Sequence, residues 1–220
     1  MSISVLEHVD GSSQYWTPTT SLICSVSGPI EPKARQEIPQ HLAIEIIFRP
    51  ASGPSTTREK LLEERIRAAV TPMVETFLHP RQLCQITFQA LKSVGQYSHM
   101  ELNSAINAAF LALIDAGIPL KSVFTSVTVS VDEDGRKFVN PDVNRLQTAK
   151  SVSTVAFKIS TGNNTLLLLH SDGSFDESTL FGVLELAEQE CVRLSKEFRK
   201  LIAEKLGKDF IWKQPANLKN

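Results

Sequence analysis

The sequence has 220 residues, 42% of them hydrophobic and 21% charged, with a formal net charge of −1. This is an ordinary balance for a soluble globular protein, long enough to bury a sizeable core without staples, and it fits one large domain or two small ones. The near-zero charge excludes a global basic field, so any contact with RNA or DNA has to use a local patch.

The three cysteines, Cys24, Cys84 and Cys191, are odd in number and far apart. They predict buried free thiols in an intracellular protein rather than a disulfide framework. The opening MSISVLEHVDG has neither the basic flank nor the long apolar stretch of a secretory signal. The longest uncharged apolar-rich run, Leu102 to Ile114, is too short to span a membrane.

In chain order, SLICSV (Ser21–Val26) and LAIEIIF (Leu42–Phe48) read as strands, punctuated by Pro18, Gly28–Pro29 and Pro39. ASGPS (Ala51–Ser55) is a loop. Thr56 and Glu59 have the spacing of a capping box and open a helix whose apolar face is Leu61, Leu62, Ile66, Ala69, Val70 and Met73. Pro72 bends or breaks that helix. Arg81–Leu91 is a strand. A second capping box, Ser98 to Glu101, opens a helix that is apolar nearly all round and therefore buried; Gly117 closes it and Pro119 prevents its continuation.

Val123–Val131, Val152–Ile159 and Thr165–His170 are strands, and Asp176 caps a last helix from Glu177 to about Leu206. At ~1.5 Å per residue it spans ~45 Å. The stretch VSVDEDGRKFVNPDVNRLQ carries the carboxylates Asp132, Glu133, Asp134 and Asp142. The first three precede Gly135 between two β-rich runs and read as a hairpin turn. The order predicts a single α/β (α+β) domain over residues 1–220, with antiparallel or mixed sheets packed against helices.

Generic chemical motifs are sparse. The glycines are too scattered for a phosphate-cradling loop, and no G-x-S-x-G elbow occurs. The histidines at 8, 41, 79, 99 and 170 have no metal-ligand spacing, so the reading includes no metal site and no cofactor. Arg193, Lys196, Arg199, Lys200, Lys205 and Lys208 interleave with Glu190, Glu197 and Glu204 and read as a solvated helix face. Arg49 and Arg58 flank the Ala51–Ser55 loop, where exposed arginines can track phosphates.

VSGPIEPKARQE (Val26–Glu37), HPRQLCQITFQAL (His79–Leu91), INAAFLALIDAGIP (Ile106–Pro119) and LLLLHSDG (Leu166–Gly173) resemble the RNase PH family over almost the whole chain. The resemblance implies a fold of two pseudo-related β-α units. It implies an RNA exosome subunit, paired as a heterodimer within a hetero-hexameric ring of RNase PH-like chains. Its partners would be RNA-binding cap subunits, an associated hydrolytic nuclease and single-stranded RNA threading the pore. The location would be nucleus, nucleolus and cytoplasm.

Some members of the family are phosphorolytic 3′-to-5′ exoribonucleases, and their motifs can be carried over residue by residue. The phosphate-binding G-G-[ST]-R falls on His99, Met100, Glu101 and Leu102. A phosphate-binding arginine on the first helix falls near Glu63, with Arg65 and Arg67 close by. The two aspartates after the DG turn fall on Asn140 and Leu146. The resemblance thus implies a subunit without catalytic residues, whose loop from Arg49 to Arg58 faces the RNA path. The competing expectations are an active phosphate-dependent exoribonuclease and a free-standing homodimeric RNA-binding module.

Overall fold

The computed structural model describes residues 1–93, 98–160 and 162–209. The first half of the chain builds a five-stranded sheet from β1 (Ser2–Ile3), β2 (Gly11–Trp16), β3 (Ser21–Ile30), β4 (Ala43–Arg49) and β5 (Leu83–Lys92), in the order β1-β2-β3-β5-β4. All its pairs are antiparallel except β4 with β5. The second half builds an antiparallel sheet from β6 (Val123–Asp132), β7 (Lys137–Val139), β8 (Ala149–Ile159) and β9 (Thr165–Gly173), in the order β7-β6-β8-β9.

Helices α1 (Thr57–Val70) and α2 (Ser98–Asp115) pack between these sheets, α3 (Val143–Gln147) is a single short turn, and α4 (Glu177–Asp209) covers the far face of the second sheet. Mixed sheets against helices are the predicted fold class. No helix among the described residues is long and apolar enough to cross a membrane.

Helix α1 starts as its sequence dictates. Thr56 is the N-cap, and the Glu59 carboxylate accepts from the Thr56 N–H at 2.7 Å. The helix stops at Val70, and Pro72 sits in a 3₁₀ turn, Thr71–Met73. Helix α2 ends at a Schellman motif: Ile118 N–H donates to Leu113 O at 3.0 Å and Gly117 N–H to Ile114 O at 3.1 Å, with Gly117 at φ 71°. The VDEDG turn is a hairpin, closed by Gly135 N–H to Asp132 O at 3.0 Å.

Strand β6 explains the polar–apolar alternation of VFTSVTVSVD. Val127, Val129 and Val131 pack with Val183, Ala187 and Cys191 of α4. The alternate residues Ser126 and Thr128 face α2, where Asn107 grips both the N–H and the C=O of Ser126 at 2.9 and 2.8 Å. Both faces are therefore buried; on the polar face Asn107 holds the Ser126 backbone and the Thr128 hydroxyl donates to His99 O at 3.3 Å.

Two sequence expectations change, and one further strand appears. Ser98 is already helical, and the Glu101 carboxylate turns to Arg58 and Ser93, so no capping box from Ser98 to Glu101 forms among the described residues. Gly11–Trp16 adds strand β2, which no alternation of polar and apolar residues marks, because Ser12 and Ser13 are both buried. Ser13 donates to Ala108 O at 2.7 Å and the Ser12 N–H to Asp115 at 2.8 Å, so α2 satisfies them. This contact needs Gly11, where a Cβ would stand 2.3 Å from Ala116 N. Strand β3 also continues through Gly28–Pro29 as a register irregularity rather than ending before it.

The main core reaches from the first sheet through α2 to Phe124, Ala156 and Phe198 of the second half. The Phe198 ring of α4 stacks on Phe110 of α2 at 5.5 Å and meets Tyr15 of β2 edge-on at 6.3 Å. All three cysteines are buried and free, as predicted.

Candidate functional site

The first turn of α2 organises the site. Side chains leave a helix ~100° apart per residue, so five consecutive positions reach different neighbours. His99 reaches β8 and β9, Met100 packs with Leu146, and Glu101 meets Arg58 of α1. Leu102 enters the main core, and Asn103 reaches Asn140.

The positions that the family resemblance assigns to catalysis converge here. Leu146, on α3, is buried in an apolar cluster with Met100 and Val152. Asn140 lies in the left-handed region, φ 47°, a conformation asparagine tolerates. Its N–H donates to Thr128 O at 2.8 Å, and its Oδ1 accepts from Asn103 Nδ2 at 2.9 Å. Asn103 in turn accepts from Asn107 at 2.9 Å. This places a neutral amide chain and an apolar cluster beside the start of α2. Leu102 is fully buried among hydrophobic side chains.

Glu63 points inward. It accepts from the Phe48 N–H at 3.0 Å and from Lys60 at 2.7 Å. Ser55 donates to Phe48 O at 3.1 Å, and Gln89 donates to Pro50 O at 3.2 Å. The loop between β4 and α1 is thus pinned at its base.

The two loop arginines have different surroundings. Arg49 is exposed, with no ion-pair partner found among the described residues. Arg58 is paired twice, with Glu59 at 3.0 Å and with the buried carboxylate of Glu101. Burial pushes the Glu101 carboxyl up, and the Ser93 hydrogen bond and Arg58 offset this only in part. At Glu59 burial also acts upward, but hydrogen bonds from the Thr56 hydroxyl, the Thr56 N–H and Arg58 outweigh it and lower the group to about 2.

A further cluster had no signal in sequence spacing. His99 and His170 stack with ring centroids 4.4 Å apart and planes 8° from parallel. His99 Nε2 lies 2.9 Å from Asp172 Oδ2, and Arg65 donates to His170 Nε2 at 2.7 Å. Burial lowers His170 to about 4, helped by the His99 and Arg65 charges. Burial also lowers His99, against the pull of Asp172. Partial burial acts upward on Asp172, but the His99 bond and the His170 and Arg65 charges leave it below the usual carboxylate value.

Comparison with known proteins matches this architecture. Residues 1–119 match the model of the RNase PH family, described as 3′ exoribonuclease family, domain 1. The chain is 47% identical over 212 residues to exosome complex component RRP46 of Saccharomyces cerevisiae, covering 93% of this chain and 95% of that protein. It is 31% identical over 208 residues to exosome complex component rrp46 of Schizosaccharomyces pombe, covering 92% and 88%.

The crystal structure of rice (Oryza sativa) Rrp46 superposes with a TM-score of 0.82 at 25% identity, covering 90% of this chain and 91% of that one. A chain of the Archaeoglobus fulgidus exosome with RNA bound to the active site shares the fold, with a TM-score of 0.68 at 16% identity and coverage of 90% and 86%. Fold and comparisons together define a mixed α/β protein with the fold of exosome RNase PH-like subunits. The chain belongs to the RNase PH family.

Proposed function

We propose that this chain is a ring subunit of an RNA exosome that supports 3′-to-5′ RNA processing by building the ring and lining the RNA path, without cutting RNA itself. Ring membership rests on the similarity over nearly the whole length to exosome components of two fungi. Its direct neighbours are other RNase PH-like subunits, with which it pairs in a hetero-hexameric ring. RNA-binding cap subunits and a hydrolytic nuclease complete the assembly. The chain acts where that assembly acts, in nucleus, nucleolus and cytoplasm.

The observation that carries the absence of catalysis is the packing of Leu146 against Met100 and Val152. Phosphorolysis needs cations to hold inorganic phosphate in line with the scissile bond, and a carboxylate to move a proton or hold a metal. At the positions matching the family motif, Leu146 and Leu102 are apolar and buried, Asn140 is a hydrogen-bonded amide, and Glu63 is an acid turned to backbone. Glu101 adds negative charge where phosphate would dock.

Of the two loop arginines, Arg49 makes the phosphate contact, and Arg58 holds the end of the loop against α2 through Glu101. Such contacts are sequence-independent and weakened by salt. Native mass spectrometry of the protein purified from cells tests the assembly. A particle of nine or more different chains is expected, and a self-pair would overturn the reading. Within that particle, Arg49→Glu should weaken RNA crosslinking to this subunit more than Arg81→Glu does.

A further inference from the structure

The cluster of His99, His170 and Asp172 joins elements distant in the chain. His99 lies in the first turn of α2, while His170 and Asp172 alternate along β9 and so share one face of the strand. One ligand atom from each of the three lies within 4.8 Å of the others. Asp172 Oδ2 is 2.9 Å from His99 Nε2 and 3.6 Å from His170 Nε2. Ligand atoms around a tetrahedral ion with bonds of ~2.0–2.1 Å stand about 3.3 Å apart, so the two sides from Asp172 bracket that spacing, and a turn of the stacked His170 ring out of its near-parallel plane brings both imidazoles onto one ion.

The hydrogen bonds behind the triangle fit the same purpose. Arg65 donates to His170 Nε2, which therefore carries a lone pair; His170 is neutral with its proton on Nδ1. That is the tautomer a metal takes. His99 Nδ1 faces Thr154 Oγ1 at 3.1 Å, and that hydroxyl also reaches His99 O at 3.2 Å. In this structure His99 donates its Nε2–H to the Asp172 carboxylate, and an incoming ion takes that place on Nε2 as the proton moves to Nδ1, where Thr154 Oγ1 can accept it while donating to His99 O. A fixed partner on the second ring nitrogen is the usual support for a ligating histidine.

A cation already occupies the opening. The Arg65 guanidinium sits on His170 Nε2. Access is open from outside, because the Asp172 side chain is 65% exposed and a surface depression of about 240 Å³ reaches His99 and Asp172. Two imidazole nitrogens and one carboxylate suit Zn²⁺ and its neighbours, not Mg²⁺ or Ca²⁺, which prefer all-oxygen sites. We propose that His99, His170 and Asp172 bind a zinc-class divalent metal ion, and that the ion displaces Arg65 from His170. Three protein ligands leave a further position for water. Arg65 and Lys150, which lines the same depression, oppose the incoming charge and hold the affinity well below that of a structural zinc site.

The test is Zn²⁺ titration of the full chain, stripped with chelator, against a chromophoric zinc indicator. One equivalent should bind, and millimolar Mg²⁺ should not compete. His99 is buried, so the variants are placed at its partners. His170→Ala and Asp172→Asn should each weaken binding about tenfold or more, and Arg65→Gln should tighten it at least about threefold by removing the competing cation. Absence of stoichiometric binding overturns the proposal. So does binding that His170→Ala leaves unchanged, which would put the zinc elsewhere, or binding that Arg65→Gln weakens. The result is independent of the ring-subunit reading, which is decided by assembly and RNA chemistry.

Discussion

Arg58 at the start of α1 reaches the buried carboxylate of Glu101 in the first turn of α2, and this pair ties the loop that follows β4 to the central helix. Among the described residues, removing the arginine leaves Glu101 with the Ser93 hydroxyl as its remaining hydrogen-bond partner. Arg58→Ala should therefore lower stability by about 1–3 kcal/mol, the penalty of an under-satisfied buried group. Arg49→Ala, at an exposed position, should change it by less than about 0.5 kcal/mol. Urea denaturation of both variants measures the difference; equal effects would show that the pair contributes nothing.

Phe198 joins α4 to α2 and to the first sheet through Phe110 and Tyr15. Phe198→Ala opens a cavity at a fully buried position and should cost about 3–5 kcal/mol. Phe181, on the same helix but 60% exposed, serves as the control: its replacement by Ala should cost less than about 1 kcal/mol. Thermal unfolding of the two variants would reveal a misplaced helix if the order were reversed.

Leu146→Asp would restore a carboxylate where the family motif has one. In this protein it places a charge against Met100 and Val152, and stability should fall by more than about 2 kcal/mol. No phosphorolysis should appear, because Leu102 and Glu63 remain. A stable variant that gains activity would mean that the site is one residue away from catalysis.

Acid sensitivity follows from Glu59, whose folded-state value of about 2 lies below its ordinary 4.5. Its contribution is fully present above pH 4.5 and is lost as pH falls toward 2, because the unfolded chain binds the proton first. The stability gap between the wild type and Glu59→Gln should be constant from pH 7 to 5 and shrink below 4.5. A gap that widens on acidification would reverse the sign of the account.

What was legible in the sequence was local. Thr56 and Glu59 cap α1 as their spacing requires, and Gly117 with Pro119 ends α2, because both devices are completed within a few residues. Glu101 misled because a local partner and a distant one compete for the same carboxylate. Arg58, 43 positions away, is the one the fold delivers. The polar strand β2 was hidden because its serines are satisfied by α2, which no pattern within GSSQYW reveals. The histidine cluster was hidden for the same reason: α2 meets β9 only in the folded chain. The motif positions Asn140 and Leu146, found by resemblance, do converge beside the start of α2, though what replaces the charged groups there is visible only in the packing.

In the proposed role this subunit shapes an RNA path without phosphorolytic chemistry. The direct measurement incubates the purified chain, alone and within its assembled particle freed of bound nuclease, with single-stranded RNA, Mg²⁺ and inorganic phosphate. The account predicts intact RNA and no nucleoside diphosphates. Diphosphate release that is abolished by Asp142→Asn would contradict it.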